Sequence, residues 1–193
     1  MEEDELKLCI GRVKQGDEAA FEELYASTCG DVYRTVRLLV PHPQDAIEVT
    51  NEVFVQVWKC LPSFDMERPF RFWLHGIVVR QANAHRRSLW RRFRLAEKHR
   101  ALGGVSAGYE EPLVEEALLR QERSQTLIEH IFRLSWKLRS VIVLRYYHEY
   151  TLKEIGELLR IPVGTVKSRH NEAIRRLREK ESILMERMAV ELQ

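Results

Sequence analysis

The pattern that most restricts the fold lies near the end of the chain, where two helical segments are joined by only a few residues. Thr151 is followed three residues later by Glu154, which is the capping-box spacing of a helix N-terminus. The apolar face that follows consists of Ile155, Leu158 and Leu159. Residues 160–164 form a tight connection, and Thr165 is placed to cap a second helix. We therefore predict a helix-turn-helix.

The second of these helices separates an apolar side from a polar one. Its inward positions are Val166, Ala173 and Leu177. The other side carries donors of the kind that bind phosphates and base edges in the major groove. The candidate DNA-contacting residues are Thr165, Lys167, Ser168, Arg169, Asn171, Glu172 and Arg175. The candidates for base edges are Lys167, Ser168, Asn171 and Glu172, with Asn171 suited to adenine and Glu172 to the cytosine amino group. An ordinary helical hairpin without DNA contacts is the alternative that this segment leaves open.

The rest of the chain also favours helices. Only nine glycines and six prolines occur among 193 residues, and apolar side chains recur at helical spacing on both sides of one interruption. That interruption, residues 101–112, has no apolar period and holds three glycines. We expect an all-α fold of two small helical domains, residues 1–100 and 113–193, joined by a flexible linker at 101–112 and with the helix-turn-helix in the second.

Charge is unevenly distributed, although the formal net charge is only +2. Residues 42–55 contain three acidic side chains and no basic one, whereas residues 80–100 contain eight basic side chains against Glu97 alone. A second basic cluster lies within residues 167–180. Two separated basic segments suit a polyanion that is bound at two places. For the second cluster, a merely solvated helix face is an equally good interpretation; for residues 80–100 the excess favours nucleic acid.

Other classes of protein are disfavoured. There is no phosphate-binding glycine loop, metalloprotease motif or nucleophile elbow, so we expect no enzymatic activity. The cysteines, Cys9, Cys29 and Cys60, have no disulfide or zinc spacing, and the histidines have no ligand spacing, so no metal or cofactor is expected. The acidic N-terminus and the lack of a long apolar stretch predict a cytoplasmic protein.

Four blocks in order resemble one bacterial family. They are residues 16–25 (GDEAAFEELY), residues 45–54 (DAIEVTNEVF) with Trp58, residues 70–74 (FRFWL) leading to Arg86 and Arg87, and residues 144–147 (LRYY) with 161–169 (IPVGTVKSR). Across residues 5–180 the sequence resembles an RNA polymerase sigma factor of the extracytoplasmic-function (ECF, group 4) subfamily. This resemblance implies a subunit that binds core polymerase and directs promoter-specific initiation, with core RNA polymerase (β′ and β subunits), promoter DNA and an anti-sigma factor as partners.

The resemblance also assigns roles to residues. The helix at 45–58 would dock on the clamp helices of β′ through Asp45, Glu48, Asn51 and Glu52. The helix that begins near Pro69, with the loop before it, would open the downstream (minus ten) element by stacking on bases and attracting phosphates. The residues implied are Phe64, Arg68, Arg80, Asn83, Arg86, Arg87 and Arg91. Loop 63–68 is expected to hold a flipped base; Phe70 and Trp73 are expected in the core.

The second domain would bind the upstream (minus thirty-five) element as duplex. Glu172 stands where the family frequently has Arg, so the family's usual upstream sequence preference is not carried over. The competing interpretation is a stand-alone helix-turn-helix regulator that binds duplex DNA without polymerase. Binding to core polymerase distinguishes the two.

Overall fold

A computed structural model describes the backbone of residues 3–101 and 122–191, and the side chains of residues 4–95 and 128–178. The described residues are helical and include no strand. The chain divides into two compact units, Met1–Leu119 and Arg120–Gln193. The helices of the first are α1 (Glu3–Lys14), α2 (Glu18–Leu39), α3 (Pro43–Cys60) and α4 (Phe70–Ala101), with a short 3-10 turn at Leu61–Ser63. Those of the second are α5 (Glu122–Arg133), α6 (Trp136–Tyr146), α7 (Leu152–Leu159) and α8 (Val163–Glu191).

The start of α2 is fixed by side chains that the sequence places there. Gly16 has a φ of 92°, which a residue with a Cβ rarely adopts, and it separates α1 from the N-cap residue Asp17. The Asp17 carboxylate accepts a hydrogen bond from the Ala20 amide at 3.1 Å, so the predicted cap is confirmed. Arg12 of α1 donates to Asp17 at 2.9 Å. The Ala20 amide and Arg12 both lower the pKa of Asp17.

The core of the first unit lies between α2 and the three helices that pack on it. Its fully buried side chains come from every one of these helices and include Leu6, Ile10, Leu24, Val32, Val36, Val53, Phe70 and Leu74. Burial of each such side chain contributes about 1.5–3 kcal/mol. This packing fixes α3 and α4 against α2, so that their remaining faces are presented to solvent.

The second unit contains the predicted helix-turn-helix. Thr151 and Glu154 form a reciprocal capping box at the start of α7, which confirms that prediction. The turn closes tightly: Arg160 has a φ of 54°, and a Cβ on Gly156 would lie 3.0 Å from the Ile161 carbonyl oxygen. Buried Arg139 of α6 donates to the carbonyl oxygens of Phe132 and Leu134, which ties the end of α5 to α6. Burial lowers the pKa of Arg139 to about 10.

Three sequence predictions need correction or lie outside the described residues. Thr165 does not cap the second helix, because α8 begins at Val163 and the Thr165 amide already donates to the Pro162 carbonyl at 2.9 Å. Ala101, the first residue of the predicted linker, belongs to α4. The remaining linker residues, 102–112, lie outside the described residues, so their flexibility stays a prediction. Among the described helices, none is long and apolar enough to cross a membrane.

Candidate polymerase and nucleic-acid interfaces

The acidic residues predicted to bind polymerase share one side of α3. Asp45, Glu48 and Glu52 follow one another at i, i+3 and i+7, which places them along a single stripe. Glu48, Asn51 and Glu52 are exposed, whereas Asp45 is half-buried. No Lys or Arg occurs between residues 43 and 58, and Lys59 in the last turn is the basic residue of α3, so the stripe keeps an excess of negative charge. We call Asp45, Glu48, Asn51 and Glu52 the α3 acidic face.

One end of the α3 acidic face touches α4. The His85 ring nitrogen Nε2 lies 4.0 Å from Asp45 Oδ1. Ligand atoms of Asp45, Glu48 and His85 all lie within 4.8 Å of one another and could meet a cation. Exposed acidic groups commonly cluster in this way without an ion. We therefore assign no metal to these groups and keep Asp45 and Glu48 in the α3 acidic face.

The basic segment of α4 holds five of the residues predicted to contact the opened promoter. Arg80, Arg86, Arg87 and Arg91 are exposed, and Asn83 is half-buried. The Asn83 side-chain oxygen accepts from Arg86 Nη2 at 3.2 Å. No acidic residue occurs from residue 68 to residue 96. The segment therefore carries an excess of positive charge, which favours phosphates.

The loop before α4 differs from the prediction. Phe64 is only 3% exposed, because its ring packs against Phe70 at 5.6 Å and Trp73 at 4.9 Å between ring centroids. The Lys14 ammonium donates to the Phe64 carbonyl at 2.9 Å and holds the loop to α1. The prediction that Phe64 stacks on a base is therefore wrong, since its ring completes the core. Arg68, in contrast, is exposed. Phe70 is buried, as predicted.

The polar side of α8 lies as the sequence predicts. Lys167, Ser168, Asn171 and Arg175 are exposed, while Thr165, Arg169 and Glu172 are half-buried. Val166 and Ala173 are fully buried, and Leu177 packs against the core that includes Ala173. The first turns of α8 thus present short polar side chains and cations on one side. This is the arrangement of a helix that enters the major groove.

Glu172 is engaged within its own helix. Its Oε2 accepts from Arg175 Nη2 at 2.6 Å, and its Oε1 accepts from Arg176 Nε at 2.6 Å. The hydrogen bonds from Arg175 and then Arg176 lower the pKa of Glu172. Both carboxylate oxygens therefore hold arginines, so the first effect of Glu172 is to fix the position of two cations.

Comparison with known proteins identifies both units. Residues 14–92 match the family model "Sigma-70 region 2", and residues 131–179 match "Sigma-70, region 4". The chain is 31% identical to the ECF RNA polymerase sigma factor SigW of Bacillus subtilis over 179 residues, which covers 90% of this chain and 95% of that protein. The chain belongs to the ECF RNA polymerase sigma factors. As a sigma factor it acts with RNA polymerase in promoter-directed initiation, which decides against the stand-alone regulator.

A further relative and two solved structures are also similar to this chain. The ECF RNA polymerase sigma-E factor of Escherichia coli (strain K12) is 29% identical over 169 residues, covering 84% of this chain and 87% of that protein. Among solved structures, CnrH in complex with the cytosolic domain of CnrY has a TM-score of 0.64 at 20% identity, covering 92% of this chain and 97% of that chain. The sigma factor RpoE of Bartonella quintana in complex with the anti-sigma factor NepR has a TM-score of 0.62 at 18% identity, covering 82% of this chain and 94% of that chain. These two structures show the same fold.

Two contacts or exposed surfaces of this sigma factor were not predicted from its sequence. Val55 and Trp58 of α3 are 45% and 47% exposed, although Trp58 also packs against Phe21 at 4.8 Å between ring centroids. They extend the α3 acidic face with apolar surface. The signal was present, since Val55 and Trp58 follow Glu48 and Asn51 by seven residues each.

The second feature is a link between α6 and α8. The Tyr146 hydroxyl lies 3.1 Å from His170 Nε2, and the two rings are stacked at 5.8 Å. The other ring nitrogen of His170 lies 3.4 Å from the side-chain oxygen of Asn171. His170 thus connects a predicted base-reading residue to the helix behind it, a contact between residues 24 positions apart that no local pattern indicates.

Proposed function

We propose that the two units of this sigma factor divide promoter recognition between an opened strand and an intact duplex. The first unit binds core polymerase through α3 and holds the opened downstream element through α4. The second unit binds the upstream element through α8. The observation that carries the proposal is the separation of charge in the first unit: residues 43–58 lack any Lys or Arg, and residues 68–96 lack any acidic residue.

The α3 acidic face suits a basic helical surface of the polymerase. Its carboxylates are placed to steer a positively charged partner, and Val55 and Trp58 next to them supply apolar area that a stable complex can bury. Charge gives the orientation and rate of docking, whereas burial of the Trp58 and Val55 side chains adds affinity. The partner we assign is the β′ subunit, with β in contact elsewhere.

The α4 segment suits DNA that has lost its pairing. Opening a duplex costs about 1.4 kcal/mol per base-pair step on average, so the separated strand must be stabilised by protein. Arg68, Arg80, Asn83, Arg86, Arg87 and Arg91 supply cations and one amide along α4 and the loop before it. With Phe64 in the core, the base-stacking surface has to come from other side chains.

The α8 segment suits base pairs in the major groove. Lys167, Arg169 and Arg175 are assigned to phosphates, and Ser168 and Asn171 to base edges. Thr165 lies in the first turn, beside the phosphate that a helix N-terminus attracts. Glu172 is assigned to position Arg175 and Arg176.

A protein inhibitor is the regulator that we propose. The sigma factor RpoE of Bartonella quintana, which shares the fold, was solved with the anti-sigma factor NepR. In this chain the exposed Val55 and Trp58 next to the α3 acidic face offer such an inhibitor an apolar anchor on the surface that polymerase needs. An inhibitor bound there would block docking by direct competition.

The test is run-off transcription on genomic DNA by core polymerase with and without the chain, together with the affinity of the chain for core polymerase. We expect Glu48→Lys/Glu52→Lys to weaken core binding at least about tenfold, since like charges then face the partner. The control, Asp4→Lys/Glu5→Lys, makes the same change of charge on α1 of the same unit. Identical start sites with and without the chain would contradict the function, and equal affinities of both double variants would contradict the docking face.

A further inference from the structure

The basic segment of α4 carries large apolar side chains that no part of the described first unit covers. Trp90 is 57% exposed and Phe93 is 51% exposed, with Leu89 and Leu95 exposed beside them. Arginines alternate with these residues at 86, 87, 91, 92 and 94. A patch of exposed apolar side chains rimmed by charged residues marks an interaction site. The combination indicates a partner that is both anionic and able to stack on rings.

Trp90 continues the face already assigned to promoter DNA. In a helix that turns by 3.6 residues, Asn83, Arg87, Trp90 and Arg94 fall on one side, at i, i+4, i+7 and i+11. Phe93 lies seven residues after Arg86 and shares its side in the same way. Trp90 is therefore about 10 Å along the helix from Asn83, a span of about three stacked nucleotides.

The Trp90 ring is held from one side. The Arg94 guanidinium lies 4.7 Å from the centroid of the Trp90 ring, a cation–π contact that fixes the ring and places positive charge next to it. More than half of Trp90 nevertheless remains exposed. A fixed, half-open ring flanked by arginines can hold a base against its π-face and the adjoining phosphate against the guanidinium groups.

An intact duplex offers few contacts to the Trp90 and Phe93 rings. In paired DNA the base faces are covered by their neighbours, and the major groove offers an aromatic side chain little beyond thymine methyl groups. In a single strand every base has an accessible face, and stacking on a protein ring does not depend on sequence. A basic protein partner is excluded by charge, because residues 68–96 contain no carboxylate to receive it.

We propose that Trp90, backed by Arg94 and followed by Phe93, is a stacking platform for unpaired bases of the promoter strand held by α4. This platform, which rests on the proposed function of α4, takes the place of Phe64. It extends the DNA-binding face beyond the last predicted residue, Arg91, and assigns the bases to Trp90 and Phe93 and the phosphates to the arginines.

The test measures binding of the full chain to a fluorescein-labelled 12-nucleotide single strand of mixed sequence and to the duplex of the same sequence. We expect Trp90→Ala to weaken binding to the single strand between about fivefold and a hundredfold. Its salt dependence should stay unchanged, because no phosphate contact is removed. Trp90→Phe should restore most of the affinity. The control is Leu95→Ala, an equally exposed apolar residue about 140° around the helix from Trp90, and it should bind like the unaltered chain.

Equal single-strand affinities for Trp90→Ala and the unaltered chain would overturn the platform. An equal loss on the duplex would also overturn it, because stacking on unpaired bases predicts a loss confined to the single strand. Run-off transcription separates this proposal from the one on which it rests. If the unaltered chain fails to start transcription with core polymerase but Trp90→Ala still loses single-strand affinity, the promoter function fails and the stacking platform stands.

Discussion

Two helices of this sigma factor, α4 and α8, carry basic segments whose arginines have different neighbours. In α4 the arginines alternate with exposed Trp90 and Phe93, and no acid occurs from residue 68 to residue 96. In α8 the arginines alternate with Ser168 and Asn171, and Glu172 holds two of them. Charge alone favours nucleic acid for α4 but leaves α8 open. The side chains between the arginines indicate which form of nucleic acid each one binds.

The physical reason is that paired and unpaired bases offer different surfaces. A single strand exposes the faces of its bases, which aromatic rings cover, and its phosphates attract the cations between those rings. A duplex exposes only base edges, which short hydrogen-bonding side chains reach, and its regular phosphates suit cations held at set positions. The α4 segment matches the first description and α8 the second.

The largest effect is expected from removing the α4 cations. We expect Arg86→Ala/Arg87→Ala/Arg91→Ala to weaken single-strand binding at least about a hundredfold, since each lost contact is a charged hydrogen bond. The slope of log affinity against log salt should fall by about 2, at ~0.7 for each of three phosphates. Titration of the labelled single strand at several salt concentrations measures both. The control, Lys7→Ala/Lys59→Ala, removes cations from other helices of the unit, and a slope reduced equally there would show that α4 is not special.

The next effect is expected at a single base pair. Asn171→Ala should lose discrimination at one position of the upstream element, between about fivefold and a hundredfold, because a bidentate pair with a base edge is worth ~1–3 kcal/mol. Lys167→Ala should instead weaken all sequences alike and reduce the salt slope by about 0.9. Affinities for duplexes that differ at one position measure the difference. If Asn171→Ala weakened binding to all of these duplexes equally, Asn171 would contact no base edge, and α8 would bind phosphates alone.

The sequence is sufficient where structure is decided within one turn of helix. Asp17 and Ala20, or Thr151 and Glu154, are three residues apart, so each cap joins groups that the local sequence already brings close together. The buried sides of the helices follow from the spacing of their apolar residues in the same way. The pairing of Glu172 with Arg175 and Arg176 was also within reach, since its spacings are i+3 and i+4.

The sequence is insufficient where the position of a side chain depends on contacts with distant segments of the chain. Phe64 stands in a loop, and its ring is buried because Phe70 and Trp73 pack against it, while Lys14, 50 positions away, holds its backbone carbonyl. His170 meets Tyr146 only because α6 packs on α8. A cap at Thr165 would start α8 at Val166, three residues after its observed first residue, Val163, because the Pro162 carbonyl already accepts from the Thr165 amide.

The smallest effect, and the finest test of the difference between α4 and α8, is expected from Glu172→Gln. Loss of this carboxylate frees Arg175 and Arg176 and removes a negative charge near phosphates. Duplexes of unrelated sequence should therefore bind about two- to threefold tighter, with a lower ratio of specific to unspecific binding. The control, Glu157→Gln, removes the same charge from an exposed position on α7. Equal changes in both variants would show a general charge effect instead of positioned arginines.

The pH dependence of this last difference follows from the lowered pKa of Glu172, whose ordinary value is 4.5. Because Arg175 and Arg176 favour the ionised carboxylate, their pairing is complete above pH 4.5 and is lost as the pH falls through the lower pKa of the folded protein. The gap between the unaltered chain and Glu172→Gln should therefore stay constant from about pH 8 to about pH 5 and close only in more acidic solution. A gap that closes near neutral pH would show that the Glu172 carboxylate does not control the positions of Arg175 and Arg176.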